Sequence, residues 1–425
     1  MSAATLPQAD RRAQAPARDD RLSFGLGVFL VLIYSQALVA PLGGETSNPD
    51  ASPLLRAVYY PAYLATLVLA AGGWRRVLKA LIGAPLLIAM VSLACLSLMW
   101  SIDPDATFRR AVALVFTCLG GVTLAARFRW ARLAEILATG FALLAIGSLF
   151  VGALVPSIGR MTELFPGAWR GFWVEKNGLG ENMGLGFCVC AAAAALNPDR
   201  RRLWLGWAAL CVLLVLFSTS KTSLVAVLLA AAMLGFVWLA RRGPVAGVLA
   251  AWLGVAGLIG AFAVVVLAPD AIFAALGKDA TLTGRTRIWA AVLRQIQTRP
   301  ELGFGYGAVW NDMSVWAPLA KIIKQAGFRP LHAHSSWFEQ ALSLGMAGLT
   351  LWSLWFLETL ARTTVAIFTR RSAYLAAPFL IVYAMTSLTE SVTLIWNDLT
   401  WVMFVAIAAK LALGERAPQF AAARP

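Results

Sequence analysis

The chain has 425 residues, 60% hydrophobic and only 13% charged, with 36 Lys+Arg against 21 Asp+Glu and a net charge of +15. Soluble domains average about 25% charged residues, so a water-exposed surface is excluded for most of this chain. The basic excess sits mainly in short loops beside apolar blocks, the pattern of membrane orientation signals, which argues against a nucleic-acid partner.

Residues 1–22 are rich in Ala, Pro and charge and read as a disordered cytoplasmic tail. The block Ser23 to Pro41 follows basic residues but reads as a retained anchor, because the parity of the later loops requires it. Apolar blocks able to cross a hydrocarbon core of ~30 Å recur at roughly 23–41, 56–72, 80–99, 107–126, 133–153, 178–196, 203–219, 222–240, 245–267, 337–357, 374–390 and 394–412. The expected fold is therefore an all-α polytopic membrane protein of about twelve transmembrane helices. Alternate loops carry Arg75/Arg76/Lys79, Arg127/Arg129/Arg132, Arg200/Arg201/Arg202, Arg241/Arg242 and Arg362/Arg370/Arg371. That places both termini in the cytoplasm. The chain then divides into a tail (1–22), nine spans (23–267), an external loop domain (268–336), three spans (337–412) and a second tail (413–425). The five cysteines lie inside apolar blocks and read as small buried hydrophobes.

The external loops carry the polar groups. Trp100-Ser101-Ile102-Asp103-Pro104-Asp105 precedes the fourth span, with Asp105 expected to cap it and Arg109 and Arg110 just inside. The loop from Arg160 to Lys176 offers Arg170, Lys176 and Asn177 to a ligand; its Trp169 and Trp173 suit belt anchoring or stacking on sugar rings. Glu181 and Asn182, inside the sixth span, require partners. Lys221 interrupts a long apolar run within Ser218–Ser223. It either snorkels to the interface or binds an anion there.

The segment 268–336 is too long for a plain connector. Ile288, Trp289, Val292, Leu293 and Ile296 recur at helical spacing after Gly284-Arg285-Thr286-Arg287, predicting a helix lying on the membrane with its apolar face down. Gly303-Phe304-Gly305-Tyr306-Gly307 reads as a flexible turn whose backbone N–H groups approach a ligand. A second helix is expected over about 312–326, with Trp316, Lys321 and Lys324. His332 and His334, the only histidines, stand just before the tenth span. A metal reading of His-Ala-His finds no neighbouring carboxylate at metal-site spacing. A pyrophosphate at the membrane surface would suit Arg285, Arg287 and Lys221.

At these residues the chain resembles the O-antigen ligase/polymerase superfamily, most of all its exopolysaccharide polymerase branch. The matching pieces are Trp100-Ser101 with Asp103-Pro104, Lys176-Asn177 with Gly180, Ser220-Lys221-Thr222, Gly284-Arg285-Thr286-Arg287-Ile288-Trp289, Gly303 to Gly307, and His332-Ala333-His334-Ser335. The order and external placement of these short pieces, over roughly 95 to 350, give the resemblance its specificity. Lys221 stands where the family commonly has Arg, and Ser335 where it often has Asn. The resemblance implies a C-type glycosyltransferase fold, no cofactor and no metal, and a polyprenyl-diphosphate-linked oligosaccharide donor with a glycan acceptor. It also implies a bacterial inner membrane location with a periplasmic site, and a flippase and chain-length regulator as partners. On that footing His334 is the expected general base, with Arg285 and Lys221 stabilising the leaving diphosphate. Arg287, His332, Lys176, Asn177, Arg170 and Tyr306 are expected to contact substrate. The alternatives are an O-antigen ligase acting on lipid A core, and a polytopic transporter.

Overall fold

The computed structural model describes residues 21–414 except 45, 47, 164, 268–283, 312–313 and 315–316. Most of both expected tails, the first part of the expected external segment and Trp316 lie outside the described residues.

The described chain is all-helical, with one isolated β-bridge between Arg160 and Trp169. Its helices are α1 (Arg21–Tyr34), α2 (Val39–Gly43), α3 (Pro53–Ala57), α4 (Tyr60–Ala71), α5 (Trp74–Ile82), α6 (Pro85–Leu96), α7 (Pro104–Arg127), α8 (Trp130–Leu154) and α9 (Pro156–Gly159). Then follow α10 (Lys176–Leu196), α11 (Arg201–Ser218), α12 (Lys221–Ala240), α13 (Pro244–Leu267), α14 (Arg285–Ile296), α15 (Pro318–Ala326), α16 (Ser336–Thr369), α17 (Ala373–Thr389) and α18 (Leu399–Leu413). Among them, seven stretches are long and apolar enough to cross a membrane. An eighth passes only as the pair α5 and α6, bent by 86°, and four shorter apolar helices match the remaining expected spans. Large apolar side chains such as Trp252 (70% exposed) and Val245 (74%) point outward along these helices, as a lipid-facing surface requires.

Helix starts follow local chemistry. α7 begins with Pro104 behind Asp103, whose carboxylate accepts from Ala106 N at 3.0 Å; Asp103, not Asp105, is the cap. α18 begins at Leu399 rather than near 394, because Asp398 accepts from Trp401 N at 2.9 Å. The residues between α17 and α18 thread the bundle without helical bonds, and side chains satisfy them. Gln340 donates to Thr393 O, Tyr306 Oη to Leu394 O and Gln36 to Asn397 O. Irregular backbone at such depth is tolerated only when it is enclosed by protein in this way.

α16 is broken at Gly345, which has φ +65° and ψ −163°. The break orphans helical carbonyls and N–H groups, and the 300–305 segment fills both sets. Phe304 N donates to Leu342 O at 3.1 Å and Gly305 N to Ser343 O at 2.9 Å, while Met346 N donates to Pro300 O at 2.7 Å. With the N–H groups of Gly303, Phe304, Gly305 and Tyr306 all given to protein acceptors, the Gly303–Gly307 segment is a packed strut, contrary to the flexible ligand-facing turn expected from sequence. A Cβ at Gly305 (φ +103°) would stand 2.5 Å from Ser101 Oγ. Gly305→Ala is expected to cost ~2 kcal/mol or more, read as a lower melting temperature and lower yield of folded protein.

Tertiary contacts sort the loops onto two ends of the bundle. At one end Arg127 donates to Gly72 O, Asn197 to Ala131 O, Arg371 to Ala195 O and Lys410 to Phe128 O, and Arg200 pairs with Glu135. These are the basic loops. At the other end Arg110 pairs with Asp50, Trp169 N donates to Phe217 O, and Ile102 N donates to Phe304 O. α7 runs from one end to the other, and its 24 residues span ~36 Å.

Candidate functional site

The site lies at the second end. α14 presents Arg285 as its first residue, behind Gly284 in the left-handed region (φ +87°). Its apolar face does not lie on lipid as the periodicity predicts. Ile288, Val292 and Ile296 are buried in a small core with Ile322, Ala333, Phe304 and Leu342, so α14 and α15 cap the bundle. Leu293 is left exposed.

Arg285 Nη2 lies 2.5 Å from Glu390 Oε1, and Glu390 Oε2 lies 2.9 Å from His334 Nδ1. Glu390 sits just past the last turn of α17. The chain Arg285–Glu390–His334 thus joins three elements distant in sequence. An ionised carboxylate only accepts, so the imidazole must carry its proton on Nδ1 and present Nε2 as a free acceptor. Burial pushes the Glu390 carboxyl up, but the His334 hydrogen bond and the Arg285 charge outweigh it and hold it below the ordinary carboxylate value. His334 itself has φ +50°, costly for a residue with a Cβ, and its backbone N–H donates to His332 Nδ1 at 3.1 Å. The two rings lie 3.9 Å apart. Burial and the His334 neighbour lower the His332 pKa to about 4, so His332 is neutral at physiological pH.

A second buried carboxylate holds the histidine loop. Glu339, in the first turn of α16, accepts from Ala333 N at 3.0 Å and from Trp310 Nε1 at 2.6 Å. Positive φ recurs at Thr219, beside Lys176, and at Leu394, whose carbonyl accepts from Tyr306. Such strain persists only where the surroundings over-determine it, and it clusters at functional sites.

The remaining expected residues fall into two groups. Lys176, Asn177 and Lys221 come together at the starts of α10 and α12. Lys176 Nζ donates to Thr219 Oγ1 at 3.3 Å and lies over the Phe165 ring, while Ser220 Oγ donates to Asn177 Oδ1 at 3.1 Å. Lys221 is exposed beside them. Both helices pack on α17, and Glu181, one turn beyond Asn177, lies within electrostatic range of Glu390 and Arg285. Arg287 is exposed on α14, two residues along from Arg285. Arg170 and Tyr306 differ from expectation. Arg170 spends its guanidinium on the carbonyls of Ile158, Val174 and Ser157, pinning its own loop. Tyr306 is buried at 3% exposure and its hydroxyl is given to Leu394 O at 2.6 Å, so both are struts. Trp173 likewise packs inward, donating to Ser35 O.

Sequence reading passed over Glu390 and Glu339. An acid at the end of an apolar run is a signal worth weighing. Its partners, however, stand 56 and 105 residues away, and nothing local identifies them.

Glu390 also changes the metal question. His332, His334 and Glu390 offer ligand atoms within 4.8 Å of one another, the cluster that sequence spacing did not contain. The donor set fits a cation poorly. The Arg285 guanidinium already holds Glu390, and His332 Nδ1 already accepts an N–H.

Two similarities to known proteins match this picture. Residues 206–353 match the family model described as O-antigen ligase, which takes in Lys221, Arg285, Arg287, His332 and His334. The chain is also 28% identical over 278 residues to the exopolysaccharide production protein ExoQ of Rhizobium meliloti (strain 1021). That match covers 62% of this chain and 61% of the relative. The resemblance to the O-antigen ligase/polymerase superfamily is borne out.

Proposed function

We propose that this multi-pass membrane protein is a polysaccharide polymerase that joins polyprenyl-diphosphate-linked oligosaccharide units by metal-independent, inverting glycosyl transfer. The observation that carries the reading is the Arg285–Glu390–His334 chain, which leaves an imidazole acceptor and a guanidinium edge beside each other in a half-buried site. Nε2 of His334 takes the proton of an acceptor hydroxyl as its oxygen attacks the anomeric carbon. The bond from that carbon to the diphosphate oxygen breaks, and the electron pair leaves with the polyprenyl diphosphate. Arg285 and Arg287, with Lys221 and Lys176 from the neighbouring cluster, meet that growing charge. Asn177 and His332 border the same space.

The site belongs on the periplasmic face of the bacterial inner membrane, with both termini cytoplasmic and residues 268–336 forming an external loop domain. Support comes from the basic loops, which gather at the opposite end of the bundle. A flippase would deliver the donor, and a chain-length regulator would act on the product.

Purified protein in lipid vesicles, given a polyprenyl-diphosphate oligosaccharide and no ion gradient, is expected to yield a ladder of glycan products by mass analysis, undiminished by a chelator. No transfer would sink the enzyme reading in favour of a carrier. Loss of transfer on chelation, restored by a divalent ion, would replace the acid–base assignment with a metal site at His332, His334 and Glu390. The family description favours a second reading, a ligase that moves finished glycan to lipid A core. It predicts a single addition to that acceptor and no ladder.

A further inference from the structure

α5 and α6 form a sharply bent pair. Its 86° bend means that if α6 crosses the bilayer, α5 lies in the membrane plane. α5 has three faces. Val77 and Ala80 are buried against the bundle. Trp74, Leu78 and Ile82, at successive i, i+4 positions, are 58%, 48% and 68% exposed, a stripe suited to acyl chains rather than water. Arg75, Arg76 and Lys79 are exposed on the remaining face.

Beside that basic face is an open-sided cavity of about 390 Å³, lined by Gly72, Gly73, Trp74, Arg75, Arg76 and Arg127. Arg127 reaches it from the end of α7, donating to Gly72 O at 2.6 Å and to Ser23 Oγ at 3.1 Å. The glycines admit it, since a Cβ on Gly73 would stand 2.6 Å from Arg127 Cδ. Arg75 lies 5.4 Å over the Trp74 ring. Among the described residues no carboxylate pairs with Arg75, Arg76 or Arg127. Arg75 and Arg76 thus line one cavity without an acidic partner, while Arg127, held by Gly72 O and Ser23 Oγ, adds its charge to the wall.

We propose that this cavity binds the phosphate of an anionic phospholipid, with the acyl chains lying along Trp74, Leu78 and Ile82. A guanidinium forks onto phosphate oxygens, and the interfacial helix fixes the depth at which a lipid phosphate sits. The apolar stripe selects a lipid over free phosphate, because only a lipid can cover it. The cavity lies at the opposite end of α7 from His334 and is independent of the glycosyl-transfer site.

The test uses the full chain purified in detergent and examined by native mass spectrometry with phosphatidylglycerol or phosphatidylcholine added. Wild-type protein is expected to retain phosphatidylglycerol in preference. R75Q/R76Q should weaken that retention roughly 10–30-fold, at about 1 kcal/mol per basic residue, and R75K/R76K should recover most of it. Glycosyl transfer in detergent should be unchanged in both variants, which reports that they fold. Equal retention of the two lipids, or full retention by R75Q/R76Q, would overturn the proposal. Displacement of the lipid by millimolar inorganic phosphate would overturn it as well, by showing that the apolar stripe contributes nothing.

Discussion

Membranes carrying His334→Asn are expected to make polymer at least 10²-fold more slowly than wild type, with the protein present at normal abundance. General bases in other enzymes contribute about 10²–10⁴-fold. Asparagine is the informative replacement because position 334 has φ +50°. Asn tolerates the left-handed region, whereas Ala would add a backbone cost of about 1 kcal/mol that could be mistaken for a lost catalyst. His334→Ala should lose polymer equally but with somewhat less folded protein. The check is product mass together with the amount of monodisperse protein recovered. Wild-type rates from His334→Asn would remove the imidazole from the chemistry.

Glu390→Gln is expected to lower turnover about 10²–10³-fold with a smaller change in apparent substrate affinity. The amide is nearly the same shape, but it cannot oppose the Arg285 charge or hold the imidazole N–H as a carboxylate does. The proton can then sit on Nε2, leaving no acceptor toward the substrate. Removing one partner also strands a half-buried guanidinium, so some loss of stability should accompany the loss of rate. Arg285→Lys tests the same chain from its other end. Lysine keeps the charge but loses the planar group that meets Glu390 through Nη2 and, in the proposed mechanism, keeps its other donors for a diphosphate. Its turnover should fall by more than tenfold, measured with purified enzyme at saturating donor. A Glu390→Gln enzyme with unaltered turnover would leave the carboxylate as packing alone, and the proton-holding role would have to be abandoned.

The divergence between expectation and structure is clearest at the Gly303–Gly307 segment. Its glycines suggested an approach to a ligand, yet their positive φ values serve the repair of the broken helix at Gly345. A glycine pattern reports that the backbone must bend or come close; it does not report what it comes close to. The α14 stripe misled in the same way. Helical spacing fixed the face, but whether Ile288 and Val292 met lipid or the α15 residue Ile322 depended on a partner the periodicity does not name.

Membrane embedding, helix content, the approximate spans and the alternation of basic loops follow from the sequence alone, because each is set by local hydropathy and charge acting over about twenty residues. Arg285 and His334 were legible as single groups, being charged or titratable side chains in a segment too long to be a connector. Their union through Glu390, the support of the histidine loop by Glu339, and the retirement of Tyr306 and Arg170 to structural duty were decided only by the tertiary fold. Glu390 meets partners 56 and 105 positions away and the Tyr306 hydroxyl reaches a carbonyl 88 away; such contacts arise from packing and loop closure, and no short-range pattern in the chain encodes them.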